Sequence, residues 1–537
     1  MTAPATRVSV AVVGAGPVGV TAANLLGVYG IRTIVVDREC DVVDYPRAAG
    51  VDDESLRVFQ AVGLQDEIMR QTIQNVPLRL FGAAGQCLAD VRPSSREFGW
   101  YKRNIFMQPS AERTLRHGLE RFSSVDLLLG HELTGLRQDG AGVRLDVTDA
   151  GGWRHEILAD YVIAADGGRS TVRDLLGVRL EGETHSRRWV VIDCAEDPLD
   201  APWTGLHGDP RRPYVSARLP DGHRRWEFML FPGEDGDEML APDQVRALLR
   251  PFVPDAEAVR PIRARVYTHH SRLADRFVVG RVALAGDAAH LMPPWAGQGM
   301  NTGLRDVGNL CWKLAAIVRG EASPDLLATY EAERRPHAGA MTDLSTNLGR
   351  LLGQTRPVVA RVRDAAFGVV GLVPPLKRWV VEMRFKPVPD YRAGFAVAVE
   401  DARVPTAGRM MPQPAVEVRP GCPVPLDDVL GTWFALVGFG CDPLAGLDGE
   451  ALAAVDRFRP DVVKVVASRS GRAGEPCVRP STLVVEDVDN QLRPWFHARG
   501  AGVVLVRPDR YVAACGRDGP DLPLAVLADR YRPKDAG

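Results

Sequence analysis

The sequence predicts an α/β protein: a doubly wound nucleotide-binding domain, interrupted by a mostly antiparallel sheet and followed by a smaller α/β domain. Three observations predict it. A Val-rich run at 7–13 opens directly into Gly14-x-Gly16-x-x-Gly19, the strand, loop and helix start of a dinucleotide cradle. Two later apolar runs, 161–167 and 281–287, share one design, a short buried strand whose carboxyl end delivers an acid, Asp166 and then Asp287. Between them, 186–270 changes to short alternating stretches broken by Pro-Gly and Asp-Gly turns, the pattern of a meandering sheet.

Taken in order, the strand at 7–13, a helix at 18–29 and a strand at 33–36 ending at Asp37 make a βαβ unit. Gly14 makes the tight turn, Gly16 lets the backbone approach a pyrophosphate, and Gly19 lets helix and strand pack closely. Pro17 opens the helix, whose N-terminus then faces the phosphates. Asp37, close to twenty residues beyond the loop, is placed to accept hydrogen bonds from an adenosine ribose, with Arg38 beside it. Ligands of doubly wound sheets lie at strand carboxyl ends, where Asp166, Gly286 and Asp287 fall. Residues 1–185 and 276–395 make the nucleotide-binding domain, lending strands around 75–110 to the inserted sheet at 186–275. Helices are expected at 302–320 and 324–352, with Ser323 as N-cap and Pro324 at the first helical position. A stretch broken by Pro374, Pro375, Pro387 and Pro389 leads to a last domain at 408–537, with strands at 433–437, 462–466 and 503–506.

Composition narrows the function classes. Lys and Arg number 66 against 68 Asp and Glu, for a net charge of -2, and no long same-sign run suggests a nucleic-acid or membrane tether. The start, Met1-Thr2-Ala3-Pro4, has no signal-peptide character, and no run reaches the length of a membrane span, so a cytoplasmic protein is expected. Eight cysteines stand singly without a C-x-x-C pair, which predicts no metal site, no dithiol chemistry and no disulfide framework.

A glycine loop alone serves any dinucleotide. Paired with Gly286-Asp287, then Pro293, Pro294 and a Gly297-Gln298-Gly299 helix start, it describes one extended FAD held at both ends. The three marks, Gly-x-Gly-x-x-Gly, Asp166-Gly167, and Gly286-Asp287 followed by Ala288-Ala289-His290, resemble those of the class A flavin-dependent aromatic monooxygenases. That resemblance implies a glutathione-reductase-like Rossmann domain. It implies that Asp287 bonds the ribityl chain, that Arg47 and Gln108 contact the flavin, and that Gly297, Gly299, Met300 and Asn301 present backbone N–H groups to the isoalloxazine. Asp166 would lie near both FAD and the path of the nicotinamide cosubstrate.

Blocks outside the nucleotide motifs, including Tyr45-Pro46-Arg47-Ala48, Val51-Asp52-Asp53-Glu54, Glu97-Phe98-Gly99-Trp100, Arg265-Val266-Tyr267-Thr268-His269 and Met383-Arg384-Phe385-Lys386-Pro387, are similar to the bacterial 3-(3-hydroxyphenyl)propionate hydroxylases. The similarity implies a single-component enzyme that uses NADH, or NADPH, and O2 to ortho-hydroxylate a small phenolic acid to its 2,3-dihydroxy product through a flavin C4a-hydroperoxide, in aromatic catabolism. Such a pocket needs a cation for the propionate, and Arg225 on the inserted sheet is the leading candidate, with Arg47 able to share the task. Tyr214, Tyr267 and His269 are the groups able to accept or relay the phenol proton, and Trp295 is the expected wall. Related phenol hydroxylases use an Asp where this chain has Ala49. The last domain resembles the thioredoxin-like tail of the group without its dithiol, which implies a packing or homodimer-interface role. Hydroxylation of a larger phenolic, such as a polyketide or an antibiotic, and a flavin-binding protein without turnover are the alternatives.

Overall fold

A computed structural model describes residues 5–45, 47–199, 201–397, 406–418, 421–467 and 477–532; Pro46 of the Tyr45 to Ala48 block lies outside them. The nucleotide-binding sheet has eight strands, with Val282–Leu284, Arg154–Ala164, Thr6–Val13, Thr33–Asp37 and Val125–Leu129 side by side and parallel. The carboxyl halves of the three central strands, Val10–Val13, Tyr161–Ala164 and Val282–Leu284, are buried on both faces, as a parallel sheet covered by helices must be. The register sets Val13 against Ala164, and Ala164 against Leu284. All three sequence motifs therefore leave neighbouring strands at one carboxyl edge. Helix Gly299–Val318 closes on helix Pro17–Val28 at Gly303, where an added Cβ would meet Val18 and come within 2.9 Å of Gly286 Cα.

The inserted sheet also has eight strands, in the order His290–Leu291, Pro261–Ala274, Leu180–Cys194, Arg224–Met229, Tyr214–Arg218, Thr204–His207, Leu78–Phe81, Cys87–Val91. It is antiparallel except where Thr204–His207 pairs with Leu78–Phe81. Alternation along its strands gives it two faces. Val190, Ile192, Cys194, Tyr214, Trp226 and Phe228 form an apolar back face with Leu248 and Leu249 of helix Pro242–Leu249. The opposite, front face carries Trp189, Asp193, Arg225 and Glu227.

The helix expected at 324–352 divides into a tighter turn, Pro324–Leu327, capped by Ser323 Oγ accepting from Asp325 N, and a long helix, Ala328–Leu352. The stretch read as proline-broken opens with a helix, Pro374–Val381, and a further helix, Pro357–Leu372, precedes it where no element was expected. Their prolines occupy first-turn positions, where the missing N–H would have no partner anyway. The last domain is a seven-stranded mixed sheet. It does not stand apart: Phe434, Phe458 and Tyr531 pack with Phe395 and Trp312 in one core continuous with the nucleotide-binding domain. Buried ion pairs, Arg57 with Asp427 at 2.5 and 2.7 Å and Arg507 with Glu333 at 2.7 and 2.8 Å, cross the same boundary.

Candidate active site

The glycine loop has the geometry that its spacing predicts. Gly14 has φ +102, and a Cβ there would strike Ala165 O at 2.3 Å; a Cβ at Gly19 would strike Gly14 O; a Cβ at Gly16 would meet nothing within 4 Å. Two of the glycines are thus forced by packing, while the third borders open space. Helix Pro17–Val28 has no side-chain cap, so its first N–H groups are left for a ligand. Asp37 braces the loop, its Oδ2 accepting from Ala15 N at 2.5 Å. Arg38 is exposed just beyond. Asp166 holds its own turn, accepting from Ser170 Oγ at 2.5 Å and Val172 N at 3.0 Å.

A second uncapped helix start lies at the other end. Pro293 is buried and Gly297 takes φ +62 with open space beside it, and helix Gly299–Val318, with Met300 half-buried in its first turn, follows with no side-chain cap. Asn301 fastens this end, donating to Gly297 O at 2.7 Å and Gly50 O at 3.0 Å and accepting from Asp52 N at 3.1 Å. Asp287 is exposed to the cleft yet crowded by protein. That crowding raises its carboxyl pKa, against the opposing pull of His290 and Arg47. The turn bearing Asp287 is held from beneath by Asp306, whose Oδ2 accepts from Gly286 N at 3.0 Å and lies 2.7 Å from His290 Nε2, while Oδ1 accepts from Arg334 Nε at 2.9 Å. Sequence reading missed Asp306, because nothing in its spacing marks it. Two bare helix N-termini, a glycine against open space and a cleft-facing carboxylate fit an extended dinucleotide such as FAD.

Gln108 supports the loop that carries Arg47. Its Oε1 accepts from Ala48 N at 2.7 Å and Arg47 N at 3.1 Å, and the residue is buried. It fixes the loop that presents Arg47.

The front face of the inserted sheet runs from cationic to aromatic. In register, Asp193 lies between Arg225 and Arg263, Val191 between Glu227 and Arg265, and Trp189 between Met229 and Tyr267. Arg225 is buried and engaged by Asp193 at 2.8 and 3.1 Å, which corrects its reading as a cation free for substrate. Tyr214 is also corrected. It sits on the back face, stacked on His207 and packed against Phe228 and Phe252. Tyr267 does face the cleft, its hydroxyl pKa pushed up to about 12 by burial and by Asp287 and Glu227. His269 is buried flat against Trp189 and edge-on to Trp295, and burial holds its pKa near about 3, so it is neutral. Trp295 joins Leu80, Leu206, Leu352, Val215 and Phe367 in the wall beside them. Glu227, which sequence reading passed over, is a half-buried carboxyl on this face whose pKa is raised by burial and by Asp193 despite Arg225.

The comparisons agree with this geometry. Residues 7–345 match the family model described as FAD binding domain, and 408–523 match the HcaD C-terminal domain. The chain is 53% identical, over 98% of both chains, to a 3-(3-hydroxy-phenyl)propionate/3-hydroxycinnamic acid hydroxylase of Burkholderia cenocepacia (strain HI2424). Among solved structures it is similar to the flavin-dependent monooxygenase PieE, TM-score 0.80, 24% identity, covering 98% of this chain and 100% of that one. It is also similar to the OxyS anhydrotetracycline hydroxylase of Streptomyces rimosus, TM-score 0.74, 26% identity, covering 98% and 99%. An FAD cradle closed at both ends and a full-length match lead to one statement: the chain belongs to the FAD-dependent aromatic hydroxylases, in the family of the 3-(3-hydroxyphenyl)propionate/3-hydroxycinnamic acid hydroxylases.

Proposed function

We propose that this enzyme ortho-hydroxylates 3-(3-hydroxyphenyl)propionate, and 3-hydroxycinnamate, to the 2,3-dihydroxy acids. The stoichiometry is one phenolic acid, NADH, O2 and a proton giving the catechol, NAD+ and water. The observation that carries the reading is 53% identity over 98% of the chain to an enzyme named for both acids. The front face supports it, because its polarity suits a ring with an acid at one end and a phenol at the other.

Bound FAD supplies the redox and oxygen chemistry. The protein binds it through the Gly14 to Gly19 loop and Asp37 at the adenosine end, and through Asp287, Arg47 and the 297–301 helix start at the flavin end. Trp189, Trp295 and Leu206 exclude water from the ring. Tyr267 and His269 are neutral in the ordinary pH range and orient the phenol by hydrogen bonding. A free phenol has a pKa of about 10 and needs help losing its proton. Glu227 is the carboxylate assigned to that step, since Asp193 on the same face is held by Arg225.

The last domain is assigned a thioredoxin-like fold. Its support is the order Asp461–Ala467, Ala435–Phe439, Val503–Val506, Val512–Gly516, with the first pair parallel and the others antiparallel. A cytoplasmic homodimer is also assigned. Val358, Val362, Val369 and Leu372 form an exposed stripe along helix Pro357–Leu372 that a second copy would cover. Among the described residues, no helix is long and apolar enough to cross a membrane. The test of the activity is a panel of phenolic acids assayed for NADH oxidation and catechol release. Equal yields with the two named acids are expected, and conversion of a polycyclic phenol but neither acid would overturn the reading.

A further inference from the structure

Three guanidinium groups converge on one aromatic ring at the outer end of the front face. The Cζ atoms of Arg263, Arg265 and Arg47 lie 3.1, 5.0 and 5.8 Å from the centroid of Tyr45. Among the described residues, none of the three has a carboxylate within ion-pair distance, in contrast to Arg225 alongside. Among the described residues, the Arg47 side chain hydrogen-bonds only the Tyr45 hydroxyl, at 3.4 Å. Arg263 Nε is buried with no hydrogen-bond partner, while Arg47 and Arg265 are exposed. Like charges gathered around one ring repel, and the face of Tyr45 offsets only part of that. An anion with several oxygens would relieve the rest.

The number and position of the cations select the anion. One carboxylate occupies the fork of one guanidinium, whereas three unpaired cations match a diphosphate. Arg265 and Arg263 lie two and four residues before Tyr267 on one strand and one face, roughly 7 and 13 Å further out. A small phenolic acid held beside Tyr267 reaches Arg265 at most, and not all three cations. The spacing suits the middle of a dinucleotide whose far end reaches inward, and Arg47 links the cluster to Asp287 through its field. We propose that Arg263, Arg265 and Arg47 hold the diphosphate of the nicotinamide dinucleotide while its ring reaches the flavin. The choice of ligand rests on the hydroxylase reading above.

The test uses FAD-loaded enzyme and NADH, comparing wild type with Arg263→Met/Arg265→Met and Arg263→Lys/Arg265→Lys. Reduction of the flavin by NADH without dioxygen is followed by its loss of absorbance, so this arm needs no hydroxylation. The Met pair is expected to weaken the half-saturating NADH concentration by about tenfold or more, with FAD content and the limiting rate unchanged. The Lys pair is expected to recover most of the loss. Added salt should raise the wild-type value more steeply than that of the Met pair. Unchanged NADH dependence in the Met pair would overturn the proposal. So would a rise confined to the KM of the phenolic acid, which would assign these arginines to its carboxylate. Failure of the enzyme to hydroxylate either named acid would sink the substrate reading alone, since the reduction assay would still report on the dinucleotide.

Discussion

Arg225 and Asp193 face each other across two antiparallel strands and share two hydrogen bonds, Nε to Oδ1 at 2.8 Å and Nη2 to Oδ2 at 3.1 Å. Both side chains are buried, and removing one partner of such a pair leaves an uncompensated charge. Arg225→Met is therefore expected to destabilise the protein by about 3–5 kcal/mol, seen as a lower Tm of the holoenzyme. Arg225→Met with Asp193→Leu should restore most of it. An unchanged Tm with a raised KM for the phenolic acid would return Arg225 to the substrate.

Glu227→Gln tests the proton acceptor. The Glu227 carboxyl pKa is raised, first by burial and then by Asp193. Its ionised, accepting form is the one present above that raised value. Activity of the wild type should accordingly climb as pH rises through it, and the variant should lose that limb together with 10²-fold or more in kcat, about the size of a general-base contribution. A variant with the wild-type pH profile would exclude Glu227.

Asp306 sets an acid limit on stability. Burial raises its pKa, but His290 and Arg334 outweigh this and hold it at about 2, below the ordinary 3.8. A depressed carboxyl stabilises the fold above its unfolded pKa and loses that contribution as pH falls through its folded one, so about 2 kcal/mol should disappear between about pH 4 and pH 2. Urea titrations across that range check it. Asp306→Asn should flatten the dependence there and weaken FAD retention, because the Gly286 to Asp287 turn rests on this carboxylate.

Asp287→Ala tests the proposed charge-assisted hydrogen bond from the cofactor to this carboxylate, a contact of a kind worth roughly 1.5–3 kcal/mol. Lower FAD content after dialysis, restored by added FAD, is the expected outcome; a fully yellow variant would refute the role.

Ending the chain at residue 407 should yield insoluble or aggregated protein. It would strip Phe434, Phe458 and Tyr531 from Trp312 and Phe395 and leave Glu333 without Arg507. A soluble, FAD-containing fragment would show that the tail is dispensable.

The sequence carried the parts of the site that depend on backbone. Gly14 and Gly19 are legible because steric constraint leaves a spacing, Gly16 because it stands between them beside open space, and Asp287 because a strand end precedes it. Arg225, Tyr214 and Gln108 were not legible, because type and element say nothing of face or partner. One step along a strand turns Arg225 away from Trp226 and towards Asp193, and Gln108 finds its partners some sixty residues away in the chain. Asp306 was invisible for the same reason. Helix Pro374–Val381 is hidden by prolines that read as breaks but begin a turn.

Helix Pro357–Leu372 has two sides: Phe367 packs, like Trp295, against the cluster of Leu80, Leu206 and Leu352, while Val358, Val362 and Val369 look outward. Polar replacements confined to those outer valines leave the cluster side untouched, so solubility and self-association should change while the preferred phenolic acid stays the same.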